Sequence, residues 1–107
     1  MQDPDELAVT EGHRGCSALI CATEKGHVDL MRLLLTAGAN AGLRCFGWTA
    51  LHHAALIGHK RAVRSLVEQG RAPLDAQSAN GMTPLQLAVE HGNHSCARLL
   101  RMYSVMG

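Results

Sequence analysis

The chain has 107 residues, of which 47% are apolar and only 3% aromatic, with 10 basic and 9 acidic side chains and a net charge of +1. This balance gives no electrostatic reason to expect nucleic acid or an anionic membrane as the main partner. No apolar run approaches the roughly 18 residues of a membrane span, and the acidic start is unlike a basic secretory signal. A cytoplasmic or nuclear location is therefore expected.

The first predicted element is a short N-terminal helix. Asp3 can cap it and Pro4 suits its first turn, where the missing backbone donor would be unpaired anyway. The helix is expected to run to about Glu11. Residues 1–12 would then form a degenerate half-unit that covers the element after it.

A short pattern then returns three times. A hydroxyl residue followed by alanine or proline and by leucine stands at 17–19, 49–51 and 83–85, and in each copy a glycine comes nine residues after the hydroxyl. A period of about 33 residues predicts a stack of repeats and not a single-core enzyme domain.

Each copy predicts a helix, a turn, a second helix and a loop. The hydroxyl side chains can cap the first helices by accepting a backbone hydrogen bond. Gly26, Gly58 and Gly92 can supply the tight backbone that lets a second helix fold back. The first helices are predicted at 18–25, 50–57 and 84–91.

The glycine spacing predicts where the repeats vary. The distances from Gly26 to Gly38 and from Gly58 to Gly70 are both twelve residues, whereas the next stretch, to the following hydroxyl, is eleven and then thirteen. We therefore expect Gly38 and Gly70 to close the second helices in the same way. Extra residues are expected only in the connecting loops.

The middle copy carries a family resemblance. Residues 49–59, Thr-Ala-Leu-His-His-Ala-Ala-Leu-Ile-Gly-His, resemble the signature of the ankyrin repeat, which opens Thr-Pro-Leu-His, continues through Ala-Ala and reaches Gly-His. The first copy departs at its opening, Ser-Ala-Leu-Ile, and the third has Gln86 in place of the histidine and Asn93 after its glycine. The match covers roughly residues 13–103.

The resemblance implies an all-α fold with short β-hairpin loops, called fingers below. Three helix-turn-helix units would stack as a solenoid, with boundaries at 1–12 for the half-unit and 13–46, 47–80 and 81–107 for the repeats. It also implies that His52 bonds the capping Thr49 and nearby backbone instead of binding a metal.

The resemblance further implies a protein-interaction scaffold or adaptor, with no catalysis, cofactor or metal of its own. The alternative is a regulatory segment of a larger enzyme or channel that packs on its own neighbouring domain. Neither interpretation names the partner.

In the family, variable contact positions lie on the fingers and on the exposed side of the first helices. The aromatic and aliphatic members of this set would anchor a partner, and the charged members would form a rim. An aromatic before the capping threonine can instead brace one finger against the next, so Trp48 has two open interpretations. The expected partner-binding residues are Arg14, Glu24, Lys25, Phe46, Trp48, Leu56, Ile57, Met82, Glu90 and His91.

Three further expectations concern the loops, the cysteines and the end of the chain. Arg44 stands where the family usually has an aspartate that ties the finger together, and the first finger should be shorter than the second. The four cysteines form no Cys-x-x-Cys pair and are expected to be reduced. An apolar C-terminal face, 99–106, is expected either from excision out of a longer array or because this face meets a partner or a second copy of the chain end to end.

Overall fold

The structure, a computed structural model, describes the backbone of residues 18–106 and the side chains of residues 18–105. The predicted helix over 3–11 lies outside the described residues. Within them there are six helices and no strand. The helices are α1 (Ala18–Lys25), α2 (Val28–Thr36), α3 (Ala50–Ile57), α4 (Lys60–Arg64), α5 (Pro84–Glu90) and α6 (His94–Met106), with a π-helical turn (Ser65–Gln69) that continues α4.

The helices stack in two layers. In the inner layer α1 packs on α3 and α3 on α5, and in the outer layer α2 packs on the π turn and α4 on α6. Small and aliphatic side chains fill the space between the layers, with Leu51, Ala54, Ala62 and Leu66 fully buried. Alanine at the crossings lets short helices approach closely, so the stack needs few aromatic residues. The predicted solenoid of helix-turn-helix units is confirmed.

The predicted helix starts and turns are confirmed where they are described. The hydroxyl groups of Thr49 and Thr83 accept hydrogen bonds from the backbone N–H groups three residues on. Gly58 has a φ of +86°, a left-handed conformation that glycine adopts without steric cost. The helix α1 spans 18–25 and α3 spans 50–57 as predicted, and α5 ends one residue early, with His91 as its C-cap.

The equivalence of Gly38 and Gly70 is wrong. Gly38 has a φ of +98°, but Gly70 has a φ of −90°, and the left-handed position in the second repeat is taken by Arg71, with a φ of +51°. The second repeat therefore reaches its helix-ending residue one position late. The π turn absorbs this extra residue inside the helix.

Two backbone hydrogen bonds locate the extra residue. In the first repeat Ala39 N–H donates to Leu34 C=O at 2.9 Å, and in the second Ala72 N–H donates to Leu66 C=O at 3.0 Å. The two bonds close the same kind of turn, but the second one encloses one more residue. The expectation that insertions lie only in loops is thus wrong, because equal glycine spacings concealed an insertion next to the second glycine.

Gly70 has a packing role instead. A Cβ atom at this position would lie 2.7 Å from Leu35 Cδ2 and 2.8 Å from the carbonyl oxygen of Leu66. Real Cβ atoms do not approach so closely, so only glycine lets the π turn sit against the first repeat.

The two fingers differ in length as predicted. In the first, Cys45 and Trp48 exchange two backbone hydrogen bonds, of 2.8 and 3.1 Å, across a two-residue turn. In the second, Ser78 N–H donates to Met82 C=O at 2.8 Å across three residues. Each finger is a hairpin tip without extended strands.

The described cysteines are in two states. Cys21 and Cys96 carry free thiols, and burial raises the pKa of both thiols above its ordinary value. Cys45 is disulfide-bonded. The expectation of reduced cysteines is therefore wrong at Cys45.

Candidate partner-binding surface

The tip of the first finger presents the sole phenylalanine of the chain. Phe46 and Gly47 have φ values of +54° and +85°, so both central residues of the turn are left-handed. This geometry suits the twist of a two-residue hairpin and normally selects asparagine or glycine. Phe46 adopts it against the preference of a bulky residue, and its side chain is 83% exposed.

Trp48, the sole tryptophan, is half-buried at the base of this finger. Its ring centroid lies 5.9 Å from the rings of both His52 and His53, edge-on to the first and tilted to the second. These contacts hold the indole on α3 and leave one part of it exposed. Neither ring contact is to the second finger, so both interpretations of Trp48 stay open.

His52 connects the first turn of α3 to the second finger. Its Nδ1 accepts from Thr49 N–H at 3.2 Å and lies 2.8 Å from the Thr49 hydroxyl oxygen. Because Nδ1 accepts, Nε2 carries the ring hydrogen and donates to the carbonyl oxygens of Ala76 and Met82, at 2.9 and 3.0 Å. The predicted bond to the capping threonine is confirmed.

Burial lowers the pKa of His52 below its ordinary value of 6.5, and the nearby charge of Arg44 acts in the same direction. Hydrogen bonds to the two backbone carbonyls oppose this shift. The neutral ring is the form that can both accept at Nδ1 and donate at Nε2.

His53 follows His52 on α3 and lies close to Glu24 of α1. Its Nδ1 is 3.6 Å from the Glu24 carboxylate, and its buried Nε2 has no hydrogen-bond partner in the described part of the chain. Burial lowers the pKa of His53, and the Glu24 carboxylate opposes that shift. Sequence reasoning did not select His53, since a second histidine beside His52 gives no signal of which neighbour it meets.

The remaining expected residues have different degrees of exposure. Ile57, at the end of α3, is 51% exposed, whereas Leu56 and Met82 are half-buried and pack against the core. Arg14 lies outside the described residues. Lys25, Glu90 and His91 are exposed.

Side-chain contacts join several of these residues into one surface. Glu24 meets His53, which meets Trp48, and His52 links the indole to the second finger at Met82. The surface thus spans α1, the first finger, α3 and the second finger. We call it the finger surface.

Arg44 ties the two fingers to each other. Its Nη1 donates to the carbonyl oxygens of Gly47, at 3.0 Å, and Gln77, at 2.5 Å. The fingers also touch directly, because a Cβ at Gly47 would lie 2.7 Å from the Cβ of Ala79. The sequence showed arginine at position 44 in place of the family's aspartate. It did not show that Arg44 bonds Gln77 of the next finger.

The far side of the third repeat has an uncovered face. Gln86 and Val89 are exposed there, the latter by 47%, whereas their counterparts in the second repeat, His52 and Ala55, are fully buried. A groove of about 490 Å³ on this face is lined mainly by apolar side chains, including Met82. We call it the end face.

The apolar C-terminal residues only partly fit the expectation made for them. Leu99 is buried in the core, which corrects its assignment to an exposed face. Met102 and Val105 are exposed, and Tyr103 is half-buried with its hydroxyl donating to Glu68. The side chain of Met106 lies outside the described residues.

Stacked pairs of antiparallel helices joined by finger loops define a repeat solenoid that presents side chains along one face. Comparison with known families agrees with this class, since the sequence pattern of ankyrin repeats in three copies matches residues 2–74 and 19–105. The chain therefore belongs to the ankyrin repeat family.

Three curated relatives illustrate the range of this family. The chain is 36% identical over 94% of its length to a putative ankyrin repeat protein, FPV014, of Fowlpox virus, covering 23% of that protein. It is 39% identical over 78% of its length to the probable E3 ubiquitin-protein ligase XBOS33 of Oryza sativa, covering 16%. It is 38% identical over 82% of its length to mouse ankyrin repeat and SAM domain-containing protein 6, covering 10%. The chain thus spans less than a quarter of each relative.

Two other kinds of feature are absent from the described residues. No helix there is long and apolar enough to cross a membrane. No group of three or more histidine, cysteine or acidic side chains is placed to hold a metal ion in the same part of the chain.

Proposed function

We propose that this protein is a non-catalytic scaffold or adaptor that binds a partner protein or peptide on its finger surface. Ankyrin repeats are generally protein-interaction modules, so membership of the family supports a role in binding other proteins. The observation that carries the finer proposal is Phe46. A large aromatic side chain is kept both exposed and in a left-handed turn, two unfavourable conditions that binding would explain.

The other expected contacts have graded roles in this proposal. Phe46 and Ile57 are the anchors, since both expose much of an apolar side chain. Trp48, Leu56 and Met82 form a less exposed platform, because each is half-buried and packs on the core. The charged and polar members, which are Arg14, Glu24, Lys25, Glu90 and His91, complete the expected contact set.

The test is a change of Phe46 that separates stability from binding. Phe46→Asn places a residue that tolerates the left-handed turn, so we expect the free energy of unfolding to rise by about 0.5–1 kcal/mol. Loss of the anchor should weaken partner binding by roughly 2 kcal/mol. Melting temperature and affinity for a partner captured with the wild-type chain measure the two effects.

Matched variants complete this experiment. Ile57→Ala should weaken binding in the same way, and Trp48→Ala should lower both binding and stability because the indole packs on two histidines. Lys60→Ala and Arg98→Ala, exposed on the outer layer, serve as controls and should leave binding nearly unchanged. If Phe46→Asn and Ile57→Ala bind normally and the outer-layer variants lose binding, the partner binds the outer layer and the finger-surface proposal is wrong.

The alternative function is regulation within a larger protein, where this segment would pack on a neighbouring domain. It is favoured by the relatives, which are several times longer than this chain and include a probable ubiquitin ligase. A longer parent chain, with the finger surface protected from hydrogen exchange by its own neighbouring domain, would select this function over the adaptor.

Self-association through the end face is a second candidate contact. Its support is the apolar groove of Met82, Leu85 and Val89. The second-repeat equivalents of Leu85 and Val89, which are Leu51 and Ala55, are fully buried. Sedimentation of the wild type and of Val89→Glu tests it. A concentration-dependent dimer that is lost in Val89→Glu supports it, and a monomer at all concentrations rejects it.

The cytoplasm or the nucleus stays the proposed location. The disulfide at Cys45 is the observation against it, because disulfides are rare in reducing compartments. Alkylation of the denatured protein from cells, without a reductant, decides the matter. Reaction of all four cysteines of the sequence would support the proposed location, and protection of a pair would indicate an oxidising compartment.

A further inference from the structure

The outer layer contains a groove between α2 and α4 that the finger surface does not use. Its volume is about 530 Å³, and three arginines line it: Arg32 from α2, and Arg61 and Arg64 from α4. The π turn supplies its other wall with Ser65, Glu68 and Gln69. The extra residue of the second repeat thus lies beside a concentration of positive charge.

The charge of this layer differs from that of the whole chain. The outer helices and the π turn carry two acidic residues, Asp29 and Glu68, against six basic ones. The chain as a whole is nearly neutral at +1. The basic residues of the outer layer are Arg32, Lys60, Arg61, Arg64, Arg98 and Arg101.

The groove's own carboxylate pairs with only one of its three arginines. Glu68 lies 3.4 Å from Arg64 Nε, and it also accepts a hydrogen bond from the hydroxyl of Tyr103. These bonds, with the arginine charge, hold the pKa of Glu68 below its ordinary value. Arg32 and Arg61 form no ion pair with any described residue.

The groove is held in place across the repeat boundary. The Gln69 side-chain amide donates to the carbonyl oxygen of Arg32 at 3.0 Å and to the hydroxyl of Thr36 at 2.6 Å. These bonds fix the π turn to α2. The backbone positions of the arginines are therefore set before any ligand arrives, which reduces the ordering cost of binding.

We infer that this groove is a second binding site, for an acidic segment of a partner protein. Guanidinium groups bind carboxylates with paired hydrogen bonds, and free arginines in a concave site attract and orient such a segment. Nucleic acid fits less well, because no aromatic side chain lines the groove for base stacking. The proposal stands independently of the finger surface.

The test uses the full chain and a fluorescein-labelled peptide of eight glutamates. Fluorescence anisotropy should show binding that weakens as salt is raised, because salt screens charge pairs at a surface. Arg32→Gln with Arg61→Gln should weaken binding about tenfold, through the loss of two charge-assisted contacts. The matched control, Arg71→Gln with Arg98→Gln, removes the same charge from exposed positions outside the groove lining and should change affinity by less than about twofold.

A second measurement locates the peptide and protects against a folding artefact. In the wild type, amide resonances of residues 28–36 and 60–69 should shift on titration, and circular dichroism should show that both double variants fold. Phe46→Asn should bind the peptide as the wild type does. A failure of the finger-surface proposal can therefore be told apart from a failure of the groove proposal.

Several results would overturn the inference. They are no binding at low salt, equal weakening in both double variants, shifts confined to another surface, or displacement of the peptide by single-stranded DNA of equal charge at lower concentration. Binding that appears only after Asp3, Asp5 and Glu6 are neutralised would also overturn it, by assigning the groove to the chain's own acidic segment.

Discussion

His52 joins three parts of the molecule through one buried ring. It completes the cap of α3 with Thr49 and reaches two carbonyl oxygens of the second finger, at Ala76 and Met82. Gln86 takes the same position in the third repeat and bonds the backbone N–H of Thr83 at 2.9 Å. Glutamine can therefore supply the cap, whereas the imidazole also spans to the next finger.

Replacing His52 separates these two roles. His52→Ala leaves buried backbone groups unpaired on both sides, so the free energy of unfolding should fall by about 2–3 kcal/mol. His52→Gln keeps the cap and should lose about half as much. Chemical denaturation of both variants measures the difference. Equal losses would show that the bonds to the second finger contribute nothing.

The pH dependence of stability follows from the two histidines of α3. The pKa values of His52 and His53 are both lowered from 6.5 in the folded state, chiefly by burial, so unfolding at low pH takes up protons. Stability from the neutral rings is present above about pH 6.5 and is lost as the pH falls through the lowered folded values. Thermal melts between pH 8 and pH 5 should show this fall, and His52→Gln should make it shallower. A melting temperature constant over this range would contradict the assignment.

The second helix of the middle repeat shows how an insertion is accommodated. Its first part, α4, is regular, but the following turn widens to a π helix, and Gly70 N–H donates to Ser65 C=O five residues earlier. The left-handed position then falls on Arg71 instead of a glycine. A non-glycine residue in this conformation costs roughly 1–2 kcal/mol.

Deleting Arg71 should regularise this helix. The remaining sequence, Leu-Val-Glu-Gln-Gly-Ala, then has the same length as Leu-Leu-Thr-Ala-Gly-Ala at 34–39, and Gly70 could take the left-handed position as Gly38 does. We expect the free energy of unfolding to rise by about 1 kcal/mol. Denaturant melts measure it.

Two variants control for this deletion. Arg71→Gly removes only the backbone strain and should stabilise by less than the deletion. Gly70→Ala in the full-length chain should destabilise by about 1–3 kcal/mol, because its Cβ would meet Leu35 and the Leu66 carbonyl. Destabilisation by the Arg71 deletion would show that the π turn is needed for packing against α2.

Stability in the whole molecule depends on contacts between neighbouring repeats. The inner helix α3 packs on both α1 and α5, and the buried side chains form one continuous core from Leu19 to Leu100. No single pair of helices buries enough apolar surface to fold alone, so the repeats stabilise one another.

Removal of residues 82–107 should therefore unfold the rest of the chain. The truncation exposes α3 and α4 and also removes the Met82 carbonyl that His52 and Ser78 bond. Circular dichroism of the 1–81 fragment should show little helix and no cooperative melt. A fully helical fragment with a sharp transition would contradict the coupling between repeats.

Much of this molecule could be predicted from local chemistry. The caps at Thr49 and Thr83 and the glycine turns were readable because a hydroxyl before a helix and a glycine after it satisfy backbone groups close in sequence. The order of the helices followed from the period of the repeat. The bond between His52 and Thr49 is equally local, and the family resemblance named it.

What required the folded chain was every contact between repeats. The spacing of Gly58 and Gly70 equals that of the first repeat, yet packing against Leu35 and Ala41 makes Gly70 a contact residue and moves the left-handed turn to Arg71. The clamp from Arg44 to Gln77 joins residues 33 positions apart. The basic groove of the outer layer likewise arises because α2 and α4 bring distant arginines together. The net charge of the sequence does not show this, because it gives the sum of the charges and not their positions in the fold.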